Sequence, residues 1–259
     1  MANKADYIAV FDSGVGGISV LRELMVCMPG ENFLYFGDSA NAPYGEKTTQ
    51  QVCALTLEKA DMLLRKKAKA LVIACNTATS AAIDALRQQY PDTIIVGIEP
   101  ALKPAVEKFP TGKIGIIATQ VTLREEKLNH LQERFPQAQV LRIPAPGLVE
   151  LIEQGKADAP ETEELLRQVL TPYIGKLDAL VLGCTHYPFV KKTIGKIMGE
   201  QTLLFDGSAG TARQTRRCLA EADLLCDGAG SVTMENSLGT PEILQLSFTL
   251  LEQGEENNG

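Results

Sequence analysis

Short apolar runs alternate with helical patterns along this chain of 259 residues. The first apolar run, Tyr7–Phe11, is followed by Ile18–Met28, in which apolar residues recur with the spacing of an amphipathic helix. Strands that alternate with helices predict parallel sheets with helices on both faces. The sequence therefore predicts an α/β fold with mostly parallel sheets.

Apolar runs typical of strands and spacings typical of helices continue to alternate as far as the C-terminal region. The predicted strands are Tyr7–Phe11, Asn32–Phe36, Ala70–Ala74, Ile94–Ile98, Lys113–Ala118, Gln139–Ile143, Leu177–Leu182 and Leu203–Phe205. The predicted helices are Ile18–Met28, Gln50–Lys67, Ala78–Tyr90, Leu123–Phe135, Glu161–Ile174, Pro188–Met198 and Ala209–Leu219. Helices from the C-terminal region are expected to cover the first part of the fold.

The second half of the chain repeats a feature of the first. Leu71–Thr77 resembles Leu180–His186, and each segment is an apolar strand that ends in a cysteine and small polar residues. This self-similarity predicts two pseudo-symmetric α/β lobes, one over residues 1–98 plus 208–259 and the other over 99–207. Two unrelated strand-to-loop junctions that each contain a cysteine are the alternative.

Charge and hydropathy exclude several classes of protein. The formal net charge of −7 disfavours nucleic acids and anionic membrane surfaces as partners, because both are bound through clustered Lys and Arg. No apolar run approaches the roughly 20 residues that a membrane helix needs, and the N-terminal residues lack the apolar segment of a secretory signal. We therefore expect a cytoplasmic protein with reduced thiols.

The sequence gives no sign of a metal or organic cofactor. The six cysteines are scattered without a CxxC pair, so a zinc site is not expected. No lysine lies in a recognisable motif for pyridoxal phosphate, so that electron sink is not implied.

Polar residues follow four of the predicted strands. In open α/β sheets ligands bind beyond the carboxyl ends of the strands, and free N–H groups at a helix start bind carboxylates. Taken alone, the glycine-rich turn after the first strand and the proline-containing loop after the second favour a purely structural role. The four segments are Asp12-Ser13-Gly14, Asp38 to Gly45, Cys75-Asn76-Thr77 and Cys184-Thr185-His186.

The two strand-end cysteines are the more informative candidates for chemistry. Cys75 and Cys184 are each expected to open a helix, where the positive end of the helix dipole favours a thiolate. His186 could form a nucleophile pair with Cys184 or could orient the group that exchanges a proton with it. If the two lobes face each other across a cleft, the two thiols approach one small molecule from opposite sides. That geometry suits an amino-acid racemase that works without a cofactor.

Four motifs together resemble one known family. They are Phe11-Asp-Ser-Gly-Val-Gly-Gly17, Tyr35-Phe-Gly-Asp38 with Pro43-Tyr-Gly45, Ala74-Cys-Asn-Thr-Ala78 and Gly183-Cys-Thr-His-Tyr-Pro188. In this order they are similar to the bacterial glutamate racemases of the cofactor-independent Asp/Glu racemase superfamily. The resemblance implies interconversion of L- and D-glutamate for peptidoglycan synthesis, two α/β lobes with the active site in the cleft between them, and a homodimer.

The resemblance also implies roles for individual residues. Cys75 and Cys184 would be the acid/base thiols, with Asp12 assisting the first and His186 the second. A glutamate after Pro146–Val149 would assist Cys184 too, either Glu153 or, in a competing alignment, Glu150. Asp38 would support its loop, in which Asn41 replaces the arginine of many members. Asp12 would act as proton acceptor or as partner of the substrate ammonium. The implied substrate-binding residues are Asp12, Ser13, Tyr44, Gly45, Asn76, Thr77, Thr119, Thr122, Thr185 and His186.

Two other functions remain open on the sequence alone. A racemase for aspartate or another polar amino acid would share the paired cysteines, although Gly183–Pro188 favours glutamate. A binding module that keeps the cysteines for packing is the alternative outside catalysis. Exchange of the Cα proton with solvent separates the enzymes from the binding module.

Overall fold

The computed structural model describes residues 3–124, 129 and 133–253. Its strands are β1 (Tyr7–Asp12), β2 (Asn32–Gly37), β3 (Ala68–Ile73), β4 (Ile94–Gly97), β5 (Lys113–Ala118), β6 (Gln139–Pro144), β7 (Ala179–Leu182), β8 (Leu203–Asp206) and β9 (Ser231–Asn236). Its α-helices are α1 (Ile18–Cys27), α2 (Thr49–Arg65), α3 (Asn76–Gln89), α4 (Leu102–Lys108), α5 (Gln120–Arg124), α6 (Leu148–Glu153), α7 (Pro160–Leu170), α8 (Lys191–Met198), α9 (Ser208–Glu221) and α10 (Pro241–Glu252).

The chain divides into two compact units, each with its own sheet. The first unit comprises Met1–Ile98 and Ser208–Gly259, and the second comprises Glu99–Gly207. The strand order is β4-β3-β1-β2-β9 in the first sheet and β6-β5-β7-β8 in the second. Every pairing between the described strands is parallel, which confirms the predicted α/β class with mostly parallel sheets.

The two sheets repeat one connection order. The first four strands of the first sheet lie in the order β4-β3-β1-β2, and the second sheet, read from its other edge, has the order β8-β7-β5-β6. With β5 to β8 counted as the first to fourth strands of their sheet, the two orders are the same. The strands that precede the two candidate cysteines, β3 and β7, therefore occupy matching positions. Both lie in sheet interiors, next to β1 and β5 respectively.

Burial on both faces explains why the central strands are almost wholly apolar. All but the first residue of β1 and β3 are buried, and so is all of β7. In the first unit, Phe11 and Ile73 pack with Leu63 of α2 and Leu86 of α3. In the second unit, separate apolar clusters include Leu180 and Val181, whose side chains point to opposite faces of β7. The cores hold rigid strands whose polar ends carry the candidate site.

The structure corrects the predicted elements at several places. The C-terminal region contributes β9 as well as helices to the first unit, and β9 pairs with β2 at the edge of the sheet. The helix predicted over Glu161–Ile174 ends at Leu170, because Pro172 follows and a 3₁₀ turn takes over at Thr171–Tyr173. The helix predicted over Leu123–Phe135 is seen as α5 from Gln120 to Arg124, and 125–128 and 130–132 lie outside the described residues.

Candidate active site

Cys75 lies at the junction of β3 and α3. It is the N-cap of α3, in extended backbone conformation, and its Sγ accepts a hydrogen bond from the Ala78 backbone N–H at 3.4 Å. Only 5% of Cys75 is exposed. The thiol thus occupies the predicted helix start, where the unpaired N–H groups of the first turn favour negative charge on sulfur.

The end of β1 brings Ser13 to the same thiol. Ser13 Oγ lies 3.4 Å from Cys75 Sγ, and either atom can donate the proton. Asp12 is fully buried, and its Oδ1 accepts a hydrogen bond from the Gly14 backbone N–H at 2.8 Å. β1 and β3 are direct neighbours in the sheet, and this pairing is what places residues so distant in sequence side by side. We call Asp12, Ser13 and Cys75, with Asn76 and Thr77, the Cys75 cluster.

The loop after β2 forms a hydrogen-bonded unit around Asp38. The fully buried carboxylate accepts a 2.8 Å hydrogen bond from the Tyr44 hydroxyl on Oδ2 and contacts of 3.1 and 3.0 Å from the Asn41 amide. Burial, together with the charge and hydrogen bond of Asp38, raises the pKa of Tyr44, so the phenol keeps its proton. Gly45 shares the 3₁₀ turn of Tyr44, so Asp38 fixes the backbone of both predicted binding residues.

Asn76 and Thr77 begin α3 directly after the first thiol. Both are buried, at 5% and 4% exposure. Asn76 Oδ1 lies in the interior without a hydrogen-bond partner among the residues that the structure describes. A buried carbonyl oxygen in that condition is available to a bound ligand.

Cys184 departs from the predicted arrangement. Both cysteines were expected to open a helix, but Cys184 precedes a turn and a 3₁₀ turn at Tyr187–Val190, and α8 begins only at Lys191. Pro188, inside the 3₁₀ turn, has no backbone N–H to donate to the Cys184 carbonyl oxygen as a regular helix would require, and that oxygen accepts from the Tyr187 backbone N–H at 3.1 Å instead. The second thiol therefore does not stand at the N-cap of an α-helix, and its electrostatic support comes from side chains.

Those side chains are His186 and Glu153. His186 Nδ1 lies 3.6 Å from Cys184 Sγ, and His186 Nε2 lies 2.6 Å from Glu153 Oε1. The Glu153 contact assigns a proton to Nε2, which leaves Nδ1 of the neutral ring to accept the thiol proton. Of the two glutamates that the motif allowed, Glu153 is the one on His186. We call Cys184, Thr185, His186 and Glu153 the Cys184 cluster.

The charge state of His186 follows from these contacts. Burial by itself lowers the pKa of the imidazole, whereas its hydrogen bonds to Cys184 and Glu153 raise it, and the net pKa stands well above the ordinary value. Both partners carry or can carry negative charge, which favours the imidazolium. The raised pKa keeps His186 protonated next to the Cys184 sulfur.

The predicted threonines lie in the second unit. Thr119, at the end of β5, donates its hydroxyl proton to Thr122 Oγ1 at 3.1 Å and accepts from the Thr122 backbone N–H at 3.4 Å. Thr122 and Thr185 are each 3% exposed. Thr185 lies between the thiol and the imidazole in the sequence.

Sequence reasoning missed contacts that organise the Cys75 cluster. The Tyr35 hydroxyl donates to the Gly14 carbonyl oxygen at 2.6 Å and holds the glycine turn against β2. A Cβ placed on Gly17 would lie 2.6 Å from Asp12 Cβ and 2.9 Å from Ala74 Cβ, so α1 begins within contact of the site. Tyr35 and Gly17 both belong to the recognised motifs, and only their partners were unforeseen. In the part of the chain that the structure describes, no group of three His, Cys, Asp or Glu is placed to hold a metal ion.

The chain is similar to proteins of known family. Residues 25–215 match the family model of the Asp/Glu/hydantoin racemases. The chain belongs to this family. The resemblance that the four motifs indicated is confirmed, and with it the assignment of the chain to the amino-acid racemases.

Individual relatives extend the match over nearly the whole chain. A glutamate racemase of Clostridium perfringens is 47% identical over 249 residues, which cover 95% of this chain and 96% of that protein. The structure of Escherichia coli glutamate racemase in complex with L-glutamate and the activator UDP-MurNAc-Ala is 29% identical, with a TM-score of 0.84 and coverage of 96% and 94%. The structure of Francisella tularensis glutamate racemase in complex with D-glutamate is 27% identical, with the same TM-score and coverage. In the described residues of this chain, no helix is both long and apolar enough to cross a membrane.

Proposed function

We propose that this protein interconverts L- and D-glutamate by a two-base reaction without a cofactor, with Cys75 and Cys184 as the acid/base groups. The observation that carries the proposal is the pair of thiols at matching strand ends, each in contact with a group that can share its proton. Ser13 contacts the first sulfur and His186 the second. Relatives with 47% identity over almost the full chain act on glutamate by name, which favours this substrate.

The proposed reaction needs one thiolate and one thiol. The thiolate takes the Cα proton, and the electron pair of the broken C–H bond is left on Cα and delocalised towards the adjacent carboxylate. The thiol then delivers its proton to the opposite face, which forms the new C–H bond and leaves the second sulfur as the thiolate. The reaction therefore requires the two sulfurs to reach opposite faces of one Cα atom, and the reverse reaction exchanges their roles.

The polar residues that the sequence analysis assigned to binding suit the rest of the substrate. Hydroxyls, amides and backbone N–H groups stabilise carboxylates without a strong cation next to the base. We assign this role to Ser13, Tyr44, Gly45, Asn76, Thr77, Thr119, Thr122 and Thr185. We assign Asp12 to the substrate ammonium, because a carboxylate that acted directly on the Cys75 thiolate would disfavour its charge.

The Cys184 cluster supplies its own proton acceptor. His186 accepts the proton of Cys184 through Nδ1 while Glu153 holds Nε2. The imidazolium so formed stays next to the thiolate, which lowers the free energy of the charged pair in a buried site. Glu153 and His186 thus act on the substrate through Cys184, as positioning residues.

The test of this function is an assay across amino acids. We expect L-glutamate to lose its optical rotation completely in the presence of the enzyme, and D-glutamate to do so equally, because enantiomers have the same free energy in water. L-aspartate and L-glutamine should change at least about 100-fold more slowly, because site groups left without their partner cost several kcal/mol. Faster racemisation of L-aspartate would identify an aspartate racemase instead. Saturable binding of glutamate without any change of rotation would identify a binding module.

The cellular setting is part of the same proposal. D-glutamate formed in the cytoplasm would supply peptidoglycan synthesis and so support cell-wall biogenesis and cell shape, as the family resemblance implies. The same resemblance favours a homodimer, which sedimentation of the purified protein tests directly. The net charge of −7 disfavours nucleic acids and anionic membranes as partners.

A further inference from the structure

Tyr187 has a buried hydroxyl group that the proposed reaction does not yet use. Its side chain is fully buried, and its hydroxyl oxygen has no hydrogen-bond partner in the described part of the chain. Among buried side-chain oxygens and nitrogens of the described residues, the other atom in this condition is Asn76 Oδ1. Asn76 follows Cys75 directly, and Tyr187 follows Cys184 after two residues. Buried polar atoms are almost always paired, so two exceptions next to the two thiols require an explanation.

The position of the Tyr187 ring is fixed relative to Cys184. The Tyr187 backbone N–H donates to the Cys184 carbonyl oxygen at 3.1 Å, which closes a tight turn. The ring packs in the apolar cluster that also contains Cys184, Val190 and Ile194. The ring and the thiol thus share one packed interior, and rotation of the Cys184 side chain about its Cα–Cβ bond is the movement that brings the sulfur to the hydroxyl.

Charges around the phenol keep it protonated. Burial, followed by the negative charges of Cys184 and Glu150, raises the pKa of Tyr187 well above its ordinary value. The hydroxyl is therefore a hydrogen-bond donor at every pH at which the enzyme would work. A neutral thiol is a weak acceptor and a thiolate a strong one, so the donor gains a good partner only when Cys184 loses its proton.

We propose that Tyr187 is a positioning residue that donates a hydrogen bond to the Cys184 sulfur when that sulfur is a thiolate. Among the described residues the hydroxyl has no acceptor within hydrogen-bond distance, and contacts of this kind commonly tighten only in the working state of an enzyme. The inference rests on the proposed function for its catalytic meaning, and the contact itself can be tested without any turnover. The titratable groups that surround the pair are His186 on the sulfur, Glu153 behind His186 and Glu150 towards the phenol.

Tyr187→Phe removes the hydroxyl and keeps the ring. Tyr173→Phe is the matched control, because Tyr173 packs against the same apolar cluster and no role is assigned to it. In the full-length protein, the rate of iodoacetamide alkylation at Cys184 is followed across pH by mass spectrometry of the peptide that contains it. In Tyr187→Phe, we expect the pH at which alkylation reaches half its maximal rate to rise by about one unit. Below that pH, alkylation should be about tenfold slower, because one hydrogen bond to a charged group is lost. Tyr173→Phe should follow the unsubstituted protein.

Two further readouts separate positioning from packing. Tyr187→Phe should melt at the same temperature or higher, because a buried hydroxyl without a partner is removed. Its kcat/KM for glutamate should fall about tenfold in both directions, in step with the loss of thiolate. An unchanged pH profile of alkylation in Tyr187→Phe would overturn the proposal. If the profile were unchanged and the melting temperature were lower, the hydroxyl would contribute only to the stability of the fold. A shifted profile in a protein that does not racemise glutamate would support the contact and contradict the proposed function.

Discussion

Glu153 Oε1 lies 2.6 Å from His186 Nε2, on the side of the ring opposite to the nitrogen that faces Cys184. The two residues come from different elements, since Glu153 ends α6 and His186 follows β7. A carboxylate in this position orients the imidazole and favours its protonated form. The thiol, the imidazole and the carboxylate therefore form one chain along which a proton can be held away from sulfur.

The first prediction concerns the carboxylate at the end of this chain. Glu153→Gln keeps the shape and removes the charge, so the pKa of His186 should fall and Cys184 should hold its proton more tightly. We expect kcat/KM to drop at least about tenfold, which corresponds to about 1.4 kcal/mol of transition-state stabilisation. Glu164→Gln, on the exposed side of α7, is the control and should keep the full rate. Equal rates for both variants would remove Glu153 from the mechanism.

The second prediction concerns the pH dependence of stability. The pKa of His186 is raised in the folded protein, so the folded state binds its proton more tightly than the unfolded state does. The resulting stabilisation should be complete below about pH 6.5, the ordinary pKa of histidine, and should be lost as pH rises through the folded value. Urea unfolding at a series of pH values measures it. His186→Asn should show a shallower decline over this range, and identical pH profiles for the two proteins would contradict the assignment.

The fold was predictable from the sequence because its signal is local and repeated. Buried parallel strands such as β1 and β3 are continuous apolar runs, and the helices between them keep a clear helical spacing. β9 was missed because it is a half-exposed edge strand in which valine and methionine alternate with polar residues, and in the described residues it pairs with one strand, β2. Pairing with β2, which is far away in sequence, decides its conformation.

The places of the candidate residues in the fold were predictable from the sequence, and their contacts were less so. Cys75 could be placed at a helix start because the apolar strand stops just before it and a helical pattern follows. The partner of His186 could not be chosen between Glu150 and Glu153, since both lie on one helix and the choice depends on how α6 packs. The environment of Tyr187 could not be predicted either, because whether a hydroxyl has a partner depends on how the interior packs.

The third prediction tests the close approach of α1 to the Cys75 cluster. A Cβ on Gly17 would come within 2.6 Å of Asp12 Cβ, so Gly17→Ala must displace Asp12 or the start of α1. We expect a loss of about 1–3 kcal/mol of unfolding free energy, together with a lower kcat/KM. Gly210→Ala is the matched control, because a Cβ at Gly210 meets no atom within 4 Å and alanine suits a helix. Equal stability of Gly17→Ala and the unsubstituted protein would show that Asp12 is not held by this contact.

The fourth prediction assigns both thiols to the chemistry. Cys75→Ser and Cys184→Ser should each reduce racemisation by at least about 10³-fold, because a serine hydroxyl keeps its proton where a thiol gives it up. The melting temperatures should stay close to that of the unsubstituted protein, since the change is nearly isosteric. Cys53→Ser, within α2, serves as the control and should retain the rate. A variant at either site with near-normal turnover would exclude that cysteine as an acid/base group.

The most direct measurement follows the Cα proton of L-glutamate in D₂O. A two-base reaction removes protium on one face and delivers deuterium from the second thiol on the other. Early in the reaction we therefore expect every molecule of D-glutamate to carry deuterium at Cα, while unreacted L-glutamate keeps its protium. Early D-glutamate that retains protium would show that a single group moves the same proton between the faces, and would contradict the account.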